Sequence, residues 1–292
     1  MEGMQAVDRA LCDKMREKQI PFVVVYNKSD LYTGPREQDH SILYVSAGTG
    51  ENIQELKERI AACYRAPEVT RRIVGDLLSP SDFVVLVVPI DKAAPKGRLI
   101  LPQQQTIRDI LDSDAVSVVV KECELADTLN CLGKKPRMVI TDSQVFAKVA
   151  ADTPKDILLT SFSILFARYK GDLEQAVKGA KVLSQLRDGD RILISEGCTH
   201  HRQCDDIGTV KLPRWIAEYT DKKLALDFTS GTEFPGDLSP YKLIVHCGGC
   251  MLNEREMKYR LKCAEDAHIP MTNYGTAIAY MNGILNRSIS IF

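Results

Sequence analysis

The stretch Tyr241–Cys250, YKLIVHCGGC, carries a short apolar run straight into a histidine, two thiols and two glycines. The run reads as a buried strand of a parallel sheet, because apolar residues follow one another without alternation. In open parallel sheets the carboxyl ends of the strands share one edge, and ligands bind along it. A C-x-x-C at such an end therefore asks for a ligand or a redox role. Two thiols at that spacing hold zinc, hold an iron–sulfur cluster, or shuttle a disulfide.

A second strand end carries a thiol as well. The run RILISEG, residues 191–197, leads into Cys198-Thr199-His200-His201. Two strand-end loops on one sheet edge bring Cys198, Cys247 and Cys250 together, and Gly248 and Gly249 let the backbone turn tightly between the last two. His200, His201 and His246 lie close by, with Cys204, Asp205 and Asp206 in the same loop as Cys198. A redox pair leaves Cys198 and the histidines idle. Zinc held by three thiolates and a histidine satisfies tetrahedral geometry, and an iron–sulfur cluster wants the same thiolates, so spacing does not separate the two metals. Structural zinc usually staples small domains, whereas this unit has a full α/β core, which favours iron–sulfur. Cys12, Cys63, Cys131 and Cys263 fall in helical patterns and Cys123 just after a strand. These five are expected to be buried and structural, as unligated cysteines usually are.

The totals agree with a metal role. At 292 residues the chain has room for two or three domains, and 45% hydrophobic with 26% charged residues is the composition of a soluble globular protein. A net charge of −1 offers no basic excess for nucleic acid. No apolar run reaches the ~18–20 residues of a membrane span, and the charged N-terminus MEGMQAVDRALCDKMREKQ is not a signal peptide. A cytoplasmic protein is expected, where disulfides are rare, so nine cysteines point to metal binding or redox chemistry.

Strands alternating with helices give an α/β fold with mostly parallel sheets and no internal repeat. Three units are expected. The first, residues 1–64, is a strand–loop–strand–loop–helix piece too small to bury a sheet on both faces. After the linker RAPEVTRR comes a second unit at 68–150, with strands in DFVVLVVPI, AVSVVV and RMVITD. The third, 155–292, holds the strands RILIS, KLALDFT and KLIVH and a helix for which Asp172 is a plausible N-cap.

The first unit carries a second signal. Asn27-Lys28-Ser29-Asp30 stands at the end of FVVVY, and Ser46-Ala47 at the end of ILYV. A carboxylate such as Asp30 accepts two hydrogen bonds from the N1–H and N2–H₂ edge of guanine, a donor pair adenine lacks. The matching phosphate loop, G-x-x-x-x-G-K-[ST], occurs nowhere in these 292 residues.

A guanine half-site, a middle α/β unit, and C-x-H followed after 45 residues by H-C-x-x-C together resemble the FeFe-hydrogenase maturation GTPases, the HydF family. The resemblance spans essentially the whole chain. It implies the C-terminal part of a P-loop NTPase-like G domain at 1–64, a small dimerisation domain at 68–150 and an iron–sulfur-binding domain at 155–292. It further implies a 4Fe-4S cluster on Cys198, Cys247 and Cys250, with His200, His246 or Asp205 as candidate fourth ligand, a position the sequence leaves open. A scaffold and carrier role follows by resemblance: a homodimer that receives a diiron precursor from radical-SAM maturases and delivers it to the apo FeFe-hydrogenase. The helix opening near Gly275 is a source of dipole for an anionic cluster. Asn27, Lys28, Asp30, Ser46 and Ala47 are the implied nucleotide contacts. GTP with Mg²⁺ also needs the phosphate half, expected in coding sequence upstream of Met1, so these residues alone are expected neither to hydrolyse GTP nor to bind it tightly. The competing readings are a GTP-dependent regulatory protein with structural zinc and a thiol oxidoreductase using Cys247 and Cys250.

Overall fold

The computed structural model describes residues 4–18, 20–34, 42–63, 71–90, 99–197, 206–231 and 233–292. They form two compact units, Met1–Thr70 and Arg71–Phe292.

The first unit contains α1 (Ala6–Glu17), β1 (Val24–Tyr26), β2 (Ile42–Tyr44) and α2 (Ile53–Cys63). β1 and β2 pair in parallel, Val24 opposite Ile42, and the rings of Tyr26 and Tyr44 stack across them at 5.2 Å. Little is buried. Cys12 is the one buried residue of α1, and α2 has none. Val7 and Leu11 stay exposed, as expected where two short strands offer little surface to cover.

The second unit holds two sheets. The first follows the order β3 (Phe83–Val87), α3 (Leu101–Leu111), β4 (Val116–Val120), α4 (Leu125–Cys131), β5 (Met138–Thr141), α5 (Phe146–Asp152), β6 (Leu158–Ser161) and α6 (Phe162–Lys170). The second is reached through α7 (Leu173–Lys181) and runs β7 (Arg191–Ser195), α8 (Leu212–Thr220), β8 (Ala225–Thr229), β9 (Leu243–His246), α9 (Glu254–Asp266), β10 (Met271–Asn273), α10 (Tyr274–Met281) and α11 (Leu285–Ile289). Across the sheets the orders are β4-β3-β5-β6 and β8-β7-β9-β10. Every pairing is parallel. In chain order both read second, first, third, fourth. The duplication lies in the topology, and the sequence shows no trace of it.

Each sheet is covered on both faces, which is why its strands are apolar without alternation. In the middle sheet Val84, Leu86, Met138 and Ile140 pack toward Ile110 and Phe166, while Val85, Val87, Val139 and Leu159 pack toward Phe146, Val149 and Leu285. In the C-terminal sheet Ile192, Ile194, Leu243 and Val245 meet Leu212, Ile216 and Ile278 on one face. Leu193, Ile244 and Met271 meet Met257 and Ala264 on the other. Each such fully buried side chain contributes about 1.5–3 kcal/mol of transfer free energy. The middle sheet takes β6 as its fourth strand, beyond the expected edge at residue 150. Asp172 caps α7 as expected, its carboxylate accepting from the Gln175 amide. Contrary to expectation, Cys123 and Cys131 are exposed and Cys63 and Cys263 only half-buried. α4 turns Leu125 and Leu129 toward the core and leaves Cys131 at its end to solvent, and Cys123 lies in the turn before it. Among the described residues no helix is long and apolar enough to cross a membrane.

Candidate functional site

In a sheet ordered second, first, third, fourth, the connections leave in opposite directions at the boundary of the first and third strands, and a crevice opens at their carboxyl ends. In the C-terminal sheet those strands are β7 and β9. Their register pairs Ser195 with His246, and the amide of Cys247 donates to the Ser195 carbonyl at 2.9 Å. The C-x-x-C thus begins at the crevice.

The sulfur of Cys247 accepts from the amide of Gly197 at 3.1 Å and from that of Gly249 at 3.4 Å. Gly249 has φ +61°, a conformation that favours glycine, and a Cβ there would also meet the Met257 sulfur at 2.6 Å. Two backbone donors on one sulfur are an environment suited to a thiolate, the form in which cysteine binds metal. Gly197 comes from the loop after β7 and immediately precedes Cys198. The backbone entering Cys198 therefore passes within hydrogen-bond distance of Cys247. Cys198, His200 and Asp205 themselves lie outside the described residues, as do His201 and Cys204. Among the described residues no group of three or more His, Cys, Asp or Glu side chains forms a metal-holding cluster. Asp206, next in the chain, is buried and accepts from the amide and hydroxyl of Thr209, capping the π-helical turn Ile207–Lys211.

His246 is buried and held at both nitrogens. The guanidinium of Arg260 lies 3.1 Å from Nε2, and the Cys247 carbonyl 2.8 Å from Nδ1. Arginine only donates, so Nε2 accepts and Nδ1 carries the proton. Burial, with a smaller contribution from the Arg260 charge, pulls the imidazole down to about 4, although the Nδ1 bond to the Cys247 carbonyl opposes the shift. In this arrangement His246 binds a metal only by giving up one of those bonds. Arg260 is fully buried, and it also pairs with Glu256 at 3.0 Å and donates to the Gly231 carbonyl at 2.7 Å. Its signal in the sequence is an arginine within the apolar stripe of α9, between Met257 and Ala264.

Two more groups were not legible as site residues. Glu196, buried beside Gly197, accepts from the Tyr274 hydroxyl at 3.2 Å, and burial first, then that carboxylate's charge, raises the phenol far above its ordinary range. Lys170, the last residue of α6, reaches across from the middle sheet's helices. Its ammonium donates to the carbonyls of Cys250 and Leu252 at 3.0 Å each and of Gly249 at 3.5 Å. A cavity of about 30 Å³ runs between α6 and this loop, past Phe166, Cys247 and Met257. That is the scale of a single water, so the cavity is a packing seam. The α10 N-terminus lies one strand away, Asn273 pairing with His246, with Gly275 pressed against Ser143 and Ser163.

In the first unit the guanine motifs come together. Asn27 Oδ1 accepts from the amides of Lys28 at 2.8 Å and Ala47 at 3.1 Å, tying the loop after β1 to the loop after β2. Lys28 takes φ +64°, and the Ser29 hydroxyl donates to Glu51 at 2.7 Å. The Ser46 hydroxyl accepts from the Thr49 amide, and Asp30 is exposed at the same end.

Residues 73–171 match the family model described as the Hydrogen maturase F dimerization domain, and residues 174–291 the one described as the Hydrogen maturase F tetramerization domain. A search of curated proteins found no match.

Proposed function

Because the chain belongs to the hydrogen maturase F family, we propose that it serves hydrogenase maturation as an iron–sulfur scaffold and carrier. On this reading Cys198, Cys247 and Cys250 anchor a 4Fe-4S cluster, and the chain passes a diiron precursor, supplied by radical-SAM maturases, to the apo FeFe-hydrogenase. The observation that carries the reading is the pair of amide donors on the Cys247 sulfur, one of them from the residue next to Cys198. They favour an anionic sulfur at the junction of the two strand ends.

A cluster held there by Cys198, Cys247 and Cys250 would supply an iron with an open position for a ligand of the diiron cargo. The chain's own part is to keep thiolates on two loops facing one centre and to shape the fourth position. His246 would have to give up its bond to Arg260 or to the Cys247 carbonyl to take the fourth position, which favours His200, Asp205 or an exchangeable ligand from outside for it. The base-recognition contacts of Asn27, Lys28, Asp30, Ser46 and Ala47 belong to the same proposal, supported by the bond from Ala47 to Asn27.

The test is anaerobic reconstitution of the native chain and of single alanine variants at Cys198, Cys247 and Cys250, with Cys12 and Cys263 as controls. Each of the first three is expected to lose the cluster, seen as iron content and the brown absorption band, while the controls keep about four irons, the number such a cluster holds. A Cys198→Ala chain that still assembles the full cluster would contradict the proposal. A colourless native chain holding one zinc would replace it with the structural-zinc reading.

A further inference from the structure

Among the described residues, two cations each bond three backbone carbonyls across the halves of the second unit, one in each direction. Arg287 of α11 donates to the carbonyls of Ala150, Thr153 and Pro154, at the end of α5. Lys170 of α6 donates to the carbonyls of Gly249, Cys250 and Leu252. The first holds a helix end that carries no chemistry, while the second holds the turn bearing Cys250. Because no peptide bond in the described chain is cis, each carbonyl aimed at Lys170 turns the amide of the next residue away from it. The ammonium thus fixes how the peptide planes on both sides of Cys250 are oriented. It does so from a half-buried position, with its nitrogen over the Phe166 ring, 5.6 Å from the ring centre.

We infer that Lys170 is a positioning residue for the thiol loop, a cation contributed by the middle sheet's last helix that sets the geometry of the Cys247–Leu252 turn. The inference rests on the scaffold reading for its purpose and on the three carbonyl bonds for its substance. Hydrogen bonds to a charged donor in a half-buried setting are among the stronger ones, and a point charge shared by three carbonyls is a task for lysine more than for the planar guanidinium.

The test uses the full chain with Lys170→Met, which keeps the apolar stem and loses the charge, Lys170→Arg, which keeps the charge, and Arg287→Met, which loosens the opposite crossing. Hydrogen exchange is followed by mass spectrometry in the metal-free chain, so this readout does not depend on a cluster. In Lys170→Met, amides across residues 247–253 are expected to exchange about tenfold faster, with Lys170→Arg intermediate and Arg287→Met unchanged there. After reconstitution, a chelator is expected to strip iron from Lys170→Met about tenfold faster than from the native chain, and the paramagnetic spectrum of the reduced cluster is expected to shift. Loop exchange in Lys170→Met within twofold of native overturns the inference, as does equal loosening in Arg287→Met, which reduces Lys170 to a general joint. Faster loop exchange together with a native chain that takes up no iron upholds the pin and removes the scaffold reading instead.

Discussion

The middle and C-terminal sheets share one strand order and differ in what occupies their carboxyl edges. After β5 and β6 the middle sheet presents Ser143 and Ser163, which bond to each other at 3.1 Å. Gly275 is pressed onto them so closely that a Cβ would lie 2.3 Å from the Ser163 Cβ, and Asn273 donates to the Ser163 carbonyl. The start of α10 therefore covers this edge with protein. In the C-terminal sheet the loops after the first and third strands bring up Gly197 and Cys247, where backbone amides converge on a sulfur. The third strand of each sheet thus runs out into a packing contact in one half, at Ser143, and into the candidate metal site in the other, at Cys247. Parallel topology supplies the location of a site, and the side chains arriving there decide whether it is one.

The comparison is sharpest at the last residue of each third strand, Thr141 against His246, since Thr141 pairs with Val87 as His246 pairs with Ser195. His246 titrates near 6.5 in an unfolded chain and is held down to about 4 in the fold. Unfolding therefore takes up a proton between those values, so the stability from neutral His246 is complete above about 6.5 and is lost as the pH falls through 4. At about 1.4 kcal/mol per unit this amounts to about 3 kcal/mol. Urea unfolding of the metal-free chain at several pH values should show this loss, and the difference curve against His246→Gln should isolate it. Thr141→Val should leave the slope unchanged. Parallel curves for the native chain and His246→Gln would mean the histidine is not held neutral.

A somewhat smaller effect is expected at the joint between the halves. Gly275→Ala places a methyl group against Ser163 and Ser143, and overpacking of this kind costs about 1–3 kcal/mol. Adding Ser163→Gly removes the nearest clashing atom, so the double variant should recover most of the loss, a coupling that calorimetry on the four chains measures. A neutral Gly275→Ala would show that the middle sheet's edge is more open than the packing indicates.

How much of this was legible depended on burial more than on motif. β3, β5, β7 and β9 carry apolar runs without alternation because both their faces are covered, and they stand out as strands. β6 and β10 do not. Leu158–Ser161 runs into α6 without a loop, and Met271–Asn273 is three residues long with two of them polar. The twofold strand order left no mark because each half satisfies the same topology with different residues. At the site, Cys247 and Cys250 announced themselves by spacing. Lys170 did not, since its partners are carbonyls about eighty positions away and a carbonyl carries no residue identity. Arg260 had a signal in its apolar stripe, but the histidine it would bond had to be found on another element.

The outer edges of the two sheets give the last and smallest contrast. β4, the edge of the middle sheet, is VSVVV, without a charge, and Val116 and Val119 are exposed on it. β8, the corresponding edge of the C-terminal sheet, carries Asp227 at its centre, 3.6 Å from Arg191. A charge within an edge strand discourages pairing with another chain, and an uncharged apolar edge invites it. The matches to dimerization and tetramerization domains support self-association, and of the two edges β4 is the one suited to backbone pairing. Val119→Lys should then raise the dimer dissociation constant about tenfold, or about 1.4 kcal/mol, with little change in monomer stability. Phe228→Lys on β8 should leave that step alone. Sedimentation across a concentration series separates the cases: an unchanged dissociation constant for Val119→Lys would remove β4 from the interface, and an equal effect of both lysines would mean that neither edge is specific.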